Sequence, residues 1–135
     1  MQALLNGLRA GAEPTRLRLL ALCAQGEVTV SELTQILGQS QPRVSRHLKL
    51  LCEAGLLERL PEGSWVFYRL ARTGEGGALA QRLVDMLPGN DPTIARDRAG
   101  LAGVREQRAG QAAAYFRDNA ERWDAIRSLH IDEGE

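Results

Sequence analysis

Residues 40–55, SQPRVSRHLKLLCEAG, constrain this chain more than any other stretch, because they carry both ends of a helix and a division of faces within it. Ser40 can accept a hydrogen bond from an early backbone N–H. Pro42 falls in the first turn, where its missing N–H is not needed. Gly55 follows as a stop able to take the left-handed conformation. Between them Val44, Leu48 and Leu51 recur at helical spacing and predict a buried stripe. The remaining face carries Gln41, Arg43, Ser45, Arg46 and Lys49, and no acid occurs from Pro42 to Cys52. A helix anchored on one side, with Arg, Gln and Ser on the other, suits the major groove of DNA. Arginine can bond guanine bidentately and glutamine adenine, and both can hold phosphate. The same pattern also fits an ordinary solvated amphipathic helix, so the neighbouring segments decide.

Upstream, Thr29 and Glu32 form a T-x-x-E capping box that starts a helix at Val30, with Leu33, Ile36 and Leu37 on its inner face. Gly38 and Gln39 then make a tight turn, which completes a helix-turn-helix. Downstream, residues 56–60 read as a strand and residues 61–64 as a turn. Residues 65–70 form a second strand: Val66, Tyr68 and Leu70 alternate with Trp65, Phe67 and Arg69. A hairpin directly after a recognition helix is a wing. Arg59, Ser64 and Arg69 are its candidates for phosphate or minor-groove contact, while Glu62 at the tip opposes DNA.

The flanks predict assembly. Leu4, Leu5 and Leu8 give a short amphipathic first helix closed near Gly11, with little to bury alone. Glu13-Pro14-Thr15 opens a second, apolar helix. Thr73-Gly74-Glu75-Gly76-Gly77 reads as a flexible joint before a fifth helix over 78–87. Asp91 and Pro92 open a last helix running to about residue 129. Its seam is sparse, and such a stripe cannot stabilise an isolated helix. Packing across a dimer axis is favoured, through Leu4, Leu5, Leu8, Leu101, Val104, Tyr115 and Trp123; packing on its own domain is the alternative. The expected architecture is mainly α (α+β): a winged helix-turn-helix over 1–75 with a two-stranded wing, and C-terminal helices for dimerisation over 76–135.

Seventeen basic and seventeen acidic residues leave no net charge, which argues against a sequence-blind nucleic-acid coat but not against a local basic face. No apolar run approaches a membrane span and no secretory pattern opens the chain, so the expectation is a cytoplasmic protein without membrane contact. A nucleophile beside a base, a metal-ligand set and a phosphate loop are all missing from the pattern, so neither catalysis nor a cofactor is expected.

Three stretches resemble the ArsR/SmtB family of bacterial winged-helix repressors. Residues 13–20, EPTRLRLL, are similar to the family's D-P-T-R-x-x-I-L opening. Residues 40–57 resemble its recognition helix, and residues 65–70, WVFYRL, its wing strand. The resemblance implies a homodimer that binds palindromic double-stranded DNA and leaves it when an effector, such as a small molecule, binds. The family's C-x-C metal site has no counterpart, because residues 27–33 read EVTVSEL and soft metals need thiolates. Asp118, Glu121, Asp124 and His130 are loosely spaced and read as a solvated face, and His47 reads as structural or phosphate-facing. Cys23 and Cys52 read as small buried hydrophobes. Residues 115–130 resemble the joining helix of proteins in which such a repressor precedes an S-adenosylmethionine-dependent methyltransferase. That likeness implies an alternative: the regulatory part of such a fusion, or a regulator that responds to S-adenosylhomocysteine.

Overall fold

The computed structural model of the chain describes residues 1–118, with side chains through Gly110. Helices α1 (Gln2–Gly11) and α2 (Pro14–Cys23) are followed by a short strand β1 (Val28–Thr29), then α3 (Val30–Leu37) and α4 (Gln41–Glu53). The wing strands β2 (Leu57–Glu62) and β3 (Trp65–Leu70) come next, then α5 (Gly74–Met86) and α6 (Pro92–Asp118). The chain packs as two units, Met1–Leu101 and Ala102–Glu135.

Local chemistry sets most helix ends in the first unit. Glu13 caps α2 by accepting from the Arg16 backbone N–H at 2.9 Å, with Pro14 in the first turn. Thr29 and Glu32 form the expected reciprocal box at α3, with bonds of 3.2 and 3.0 Å. Gly38 ends α3 at φ +66°, a left-handed conformation that needs no side chain beyond hydrogen. Asp91 accepts from the backbone of Thr93 and Ile94 at the start of α6.

Leu19, Leu20, Leu22, Leu33, Val44, Leu48, Leu51 and Leu56 are buried together as one core. Deleting such side chains typically costs about 2–5 kcal/mol each, so the core fixes α4 against α2 and α3 through the stripe predicted from its periodicity.

The sheet has three strands, in the order β1-β3-β2, all antiparallel. The third strand was not anticipated: Val28 pairs with Tyr68 and Thr29 with Phe67. Wing pairing runs from Leu57 opposite Leu70 at the base to Glu62 opposite Trp65 at the tip. Gly63 turns there at φ +59°.

Two expectations are corrected. Residues 73–77 are not a flexible joint: Thr73 precedes α5, which already begins at Gly74, so the boundary expected after residue 75 falls inside a helix. The glycines are there for proximity. A Cβ on Gly76 would overlap the Gly55 carbonyl, and one on Gly77 would come within 2.7 Å of the Ala71 carbonyl oxygen. Leu101 is the second correction. It is 2% exposed and belongs to the protomer's own core, so it has no surface to offer a partner. The first turns of α6 are held inside the first unit by Arg18, which donates to both carboxylate oxygens of the buried Asp97 at 2.8 Å.

Helix α1 is inverted relative to a simple amphipathic helix. Its small residues Gly7, Ala10 and Gly11 are buried. Leu79 and Leu83 of α5 fill the space where Cβ atoms of Gly7 and Gly11 would project. Leu4, Leu5 and Leu8 consequently point outward, 37–50% exposed.

Candidate nucleic-acid interface

Helix α4 presents the predicted polar face. Ser40 caps it, its hydroxyl accepting from the Arg43 N–H at a long 3.4 Å. Gln41, Arg43, Arg46 and Lys49 are exposed and Ser45 is half-buried, while Val44, Leu48 and Leu51 are sealed beneath. Arg43 and Arg46 stand one turn apart; Gln41, Ser45 and Lys49 follow at i, i+4 spacing along a second line. Among the described residues neither Arg43 nor Arg46 has an ion-pair partner. Lys49 reaches Glu53 only at 4.0 Å and in full solvent, a contact that contributes little. The helix thus carries two unneutralised guanidinium groups on a rigid, anchored support.

His47 lies on the inner flank of α4, not on the polar face. Its Nδ1 is 3.9 Å from a Glu13 carboxylate oxygen, beyond hydrogen-bond reach, and finds no partner among the described residues. Burial pushes the imidazole below its ordinary pKa, reinforced by Arg16, Arg43 and Arg46 and opposed by Glu13. The ring is therefore neutral near pH 7 and contributes shape more than charge. Glu13 is pushed upward by burial, but the backbone N–H groups of Arg16 and Thr15, with His47 and Arg16 nearby, bring it net below the ordinary carboxylate value. Gln39 in the turn donates to the Thr15 hydroxyl at 3.2 Å, so the α3–α4 turn rests on the start of α2.

The wing divides the remaining candidates. Arg59 and Ser64 are exposed, Arg59 midway along the wing opposite Tyr68 and Ser64 at the tip. Arg69 is a correction: it pairs with Glu58 at 2.9 Å and Glu27 at 3.6 Å at the wing base. Its charge is neutralised and its fork occupied, because the strand register places Glu58 directly opposite. Glu58 accepts from the Arg72 backbone N–H as well, and these contacts hold its carboxyl below the ordinary range.

Of the remaining expectations, Leu4, Leu5 and Leu8 are exposed on α1, whereas Val104 on α6 is corrected as Leu101 is: it is buried and has little surface to offer a partner. Tyr115 lies on α6 with its side chain outside the described set. Trp123, Glu121, Asp124, His130 and most of the segment likened to a joining helix lie outside the described residues altogether. Among the described residues no group of three or more His, Cys, Asp or Glu could hold a metal ion, and no helix is long and apolar enough to cross a membrane. Cys23 is buried and Cys52 half-buried, both as free thiols whose pKa values burial pushes upward. The thiolate, the reactive form, is disfavoured at both.

A helix-turn-helix whose second helix shows unpaired cations, followed by a β-hairpin, defines a winged helix-turn-helix regulator. Residues 13–59 match the domain described as "Bacterial regulatory protein, arsR family". The arsenical resistance operon repressor of Bacillus subtilis is 34% identical over 76 residues, covering 56% of this chain and 72% of that one. The arsenic resistance transcriptional regulator ArsR1 of Pseudomonas putida is 52% identical over 60 residues, 44% of this chain; the match spans about half of that relative, 47%. Among solved structures, the homodimeric winged helix-turn-helix DNA-binding domain Mb0332 from Mycobacterium bovis superposes with a TM-score of 0.53. It is 32% identical, covering 67% of this chain and 86% of that one. The chain belongs to the ArsR family of bacterial regulatory proteins.

Proposed function

We propose that this protein is a homodimeric transcriptional repressor that binds palindromic operator DNA. Each α4 enters a major groove, with half-sites about one turn, roughly 10 base pairs, apart. The observation that carries this reading is the exposure of Arg43 and Arg46, without ion-pair partners among the described residues, on a helix whose opposite face is locked in the core. Gln41, Arg43 and Arg46 are assigned to bases or phosphates, and Ser40, Ser45 and Lys49 to phosphates. The names of relatives, among them an arsenic resistance transcriptional regulator and an arsenical resistance operon repressor, support the reading as a repressor. The effector that ends repression is not a thiolate-bound metal at residues 27–33, where no cysteine occurs.

The test is a salt-dependent titration against the DNA upstream of the protein's own gene. Selective binding with a steep salt slope is expected. Arg43→Ala should weaken it by about 1–3 kcal/mol. If Arg43 reads a base, the loss is confined to the operator; if it holds phosphate, all sequences weaken alike. Unchanged affinity would remove Arg43 from the interface.

The dimer is assigned to the outward leucines of α1, since its small residues face its own protomer and its large ones face solvent. The homodimeric state of the Mycobacterium bovis domain supports a dimer as such. The double substitution of Leu4 and Leu8 by Asp should shift sedimentation from dimer to monomer with the helical signal retained. An unmoved sedimentation coefficient would place the interface elsewhere.

A further inference from the structure

We propose that the wing meets DNA through Trp65, whose indole packs on the sugar–phosphate edge of the minor groove beside the major groove that α4 enters. The inference rests on the DNA-binding reading above and names a contact that the wing's cations do not provide. Strand register orders the outer face of the wing from base to tip. Arg69 and Glu58 come first and cancel each other, then Leu60 opposite Phe67, both half-buried, then Glu62 opposite Trp65. The opposite face begins with the buried pair Leu57 and Leu70, and alternation puts the exposed Arg59 on that face, away from Trp65.

The tip therefore has no cation beside Trp65, yet it carries an indole 62% exposed, the most exposed aromatic side chain among the described residues. Among the described residues Trp65 is not one of those packed against the core. Its chemistry suits a nucleic-acid backbone: an apolar face matches deoxyribose, and a ring N–H that only donates matches phosphate oxygens that only accept. The distance suits it too. Six residues at about 3.3 Å each carry the tip roughly 17–20 Å from the wing base. Half a turn of B-DNA, about 17 Å, separates a major groove from its flanking minor groove. Glu62 sits on the same face and opposes the phosphates, so the two tip residues act with opposite sign.

The sequence contains two tryptophans, so the difference in emission between the parent and Trp65→Phe isolates the Trp65 signal in the full-length chain. On titration with the duplex upstream of the gene, Trp65 emission should change and saturate together with the anisotropy of the labelled duplex. Trp65→Ala should weaken binding about fivefold or more with the salt slope unchanged, because no charge is lost. Trp65→Phe should fall between, and Glu62→Gln should tighten binding. Parent protein that binds the duplex while the emission and all three tip variants stay level would overturn the Trp65 contact and leave the repressor reading intact. Emission that responds to protein concentration in the absence of DNA would also overturn it, giving Trp65 to contact between copies. Failure of the parent protein to bind the duplex selectively would overturn the repressor reading itself, and with it this contact.

Discussion

Gly76→Ala is expected to destabilise the protein by about 3 kcal/mol or more, the upper end for forcing extra atoms into a packed interior. The added methyl would overlap the carbonyl of Gly55, and the nearest atoms it would meet are all main chain of that residue. That backbone cannot retreat cheaply. Gly55 holds φ +79°, which few other residues adopt, at the stop of α4. The next residue, Leu56, donates to Leu51 at 3.0 Å and accepts from Ala71 at 3.0 Å, which ties the end of α4 to the start of the wing and its return. Urea unfolding of Gly76→Ala should show the loss as a lowered midpoint at unchanged slope. Gly103→Ala is the control: it lies in α6, nothing would meet its Cβ within 4 Å, and alanine is the better helix former. It should be neutral or slightly stabilising. If Gly76→Ala unfolds at the parent midpoint, the approach of α5 to the Gly55 corner is looser than its geometry indicates.

Asp97→Ala is expected to cost about 3 kcal/mol, the lower end of the range for breaking a buried ion pair. Asp97 is 2% exposed and takes both bonds from Arg18 at 2.8 Å. Removing it strands a guanidinium whose fork was satisfied. Arg18 keeps 22% of its side-chain exposure, so water recovers part of the loss, which sets the estimate at the lower end. Arg18→Met combined with Asp97→Leu should cost less than the two single changes added together, because no charge is left without a partner. Strict additivity in that cycle would show that the two groups do not interact strongly in solution.

Recognition-helix chemistry was legible in the sequence because it is local. The hydroxyl of Ser40, Pro42, the Thr29–Glu32 box and the spacing of Val44, Leu48 and Leu51 each act within one or two helical turns. The alternation of residues 65–70 gave the wing for the same reason. What escaped reading depends on partners far along the chain. Strand β1 is two residues long and exists through Tyr68 and Phe67. Asp97 drew no reading from the sequence, since its partner lies 79 residues away. Arg69 looked available for phosphate until register set Glu58 across from it. Gly76 and Gly77 looked like flexibility because composition does not distinguish a glycine that must bend from one that must be thin. Trp65 had been assigned a face but no role, since alternation alone gives neither its exposure nor the neutralisation of its neighbour Arg69.

The Arg18–Asp97 clasp also determines where the chain can be shortened. Ending it at residue 75 would sever α5 after two residues and strip away Leu79 and Leu83, the surface on which Gly7 and Gly11 rest. Ending it after α5, at Met86, would keep that surface but leave Arg18 facing a place where a carboxylate had been. Leu101 would be missing from the core as well. A minimal fragment for binding or crystallisation must therefore run through Leu101, well past the wing where the helix-turn-helix pattern in the sequence comes to an end.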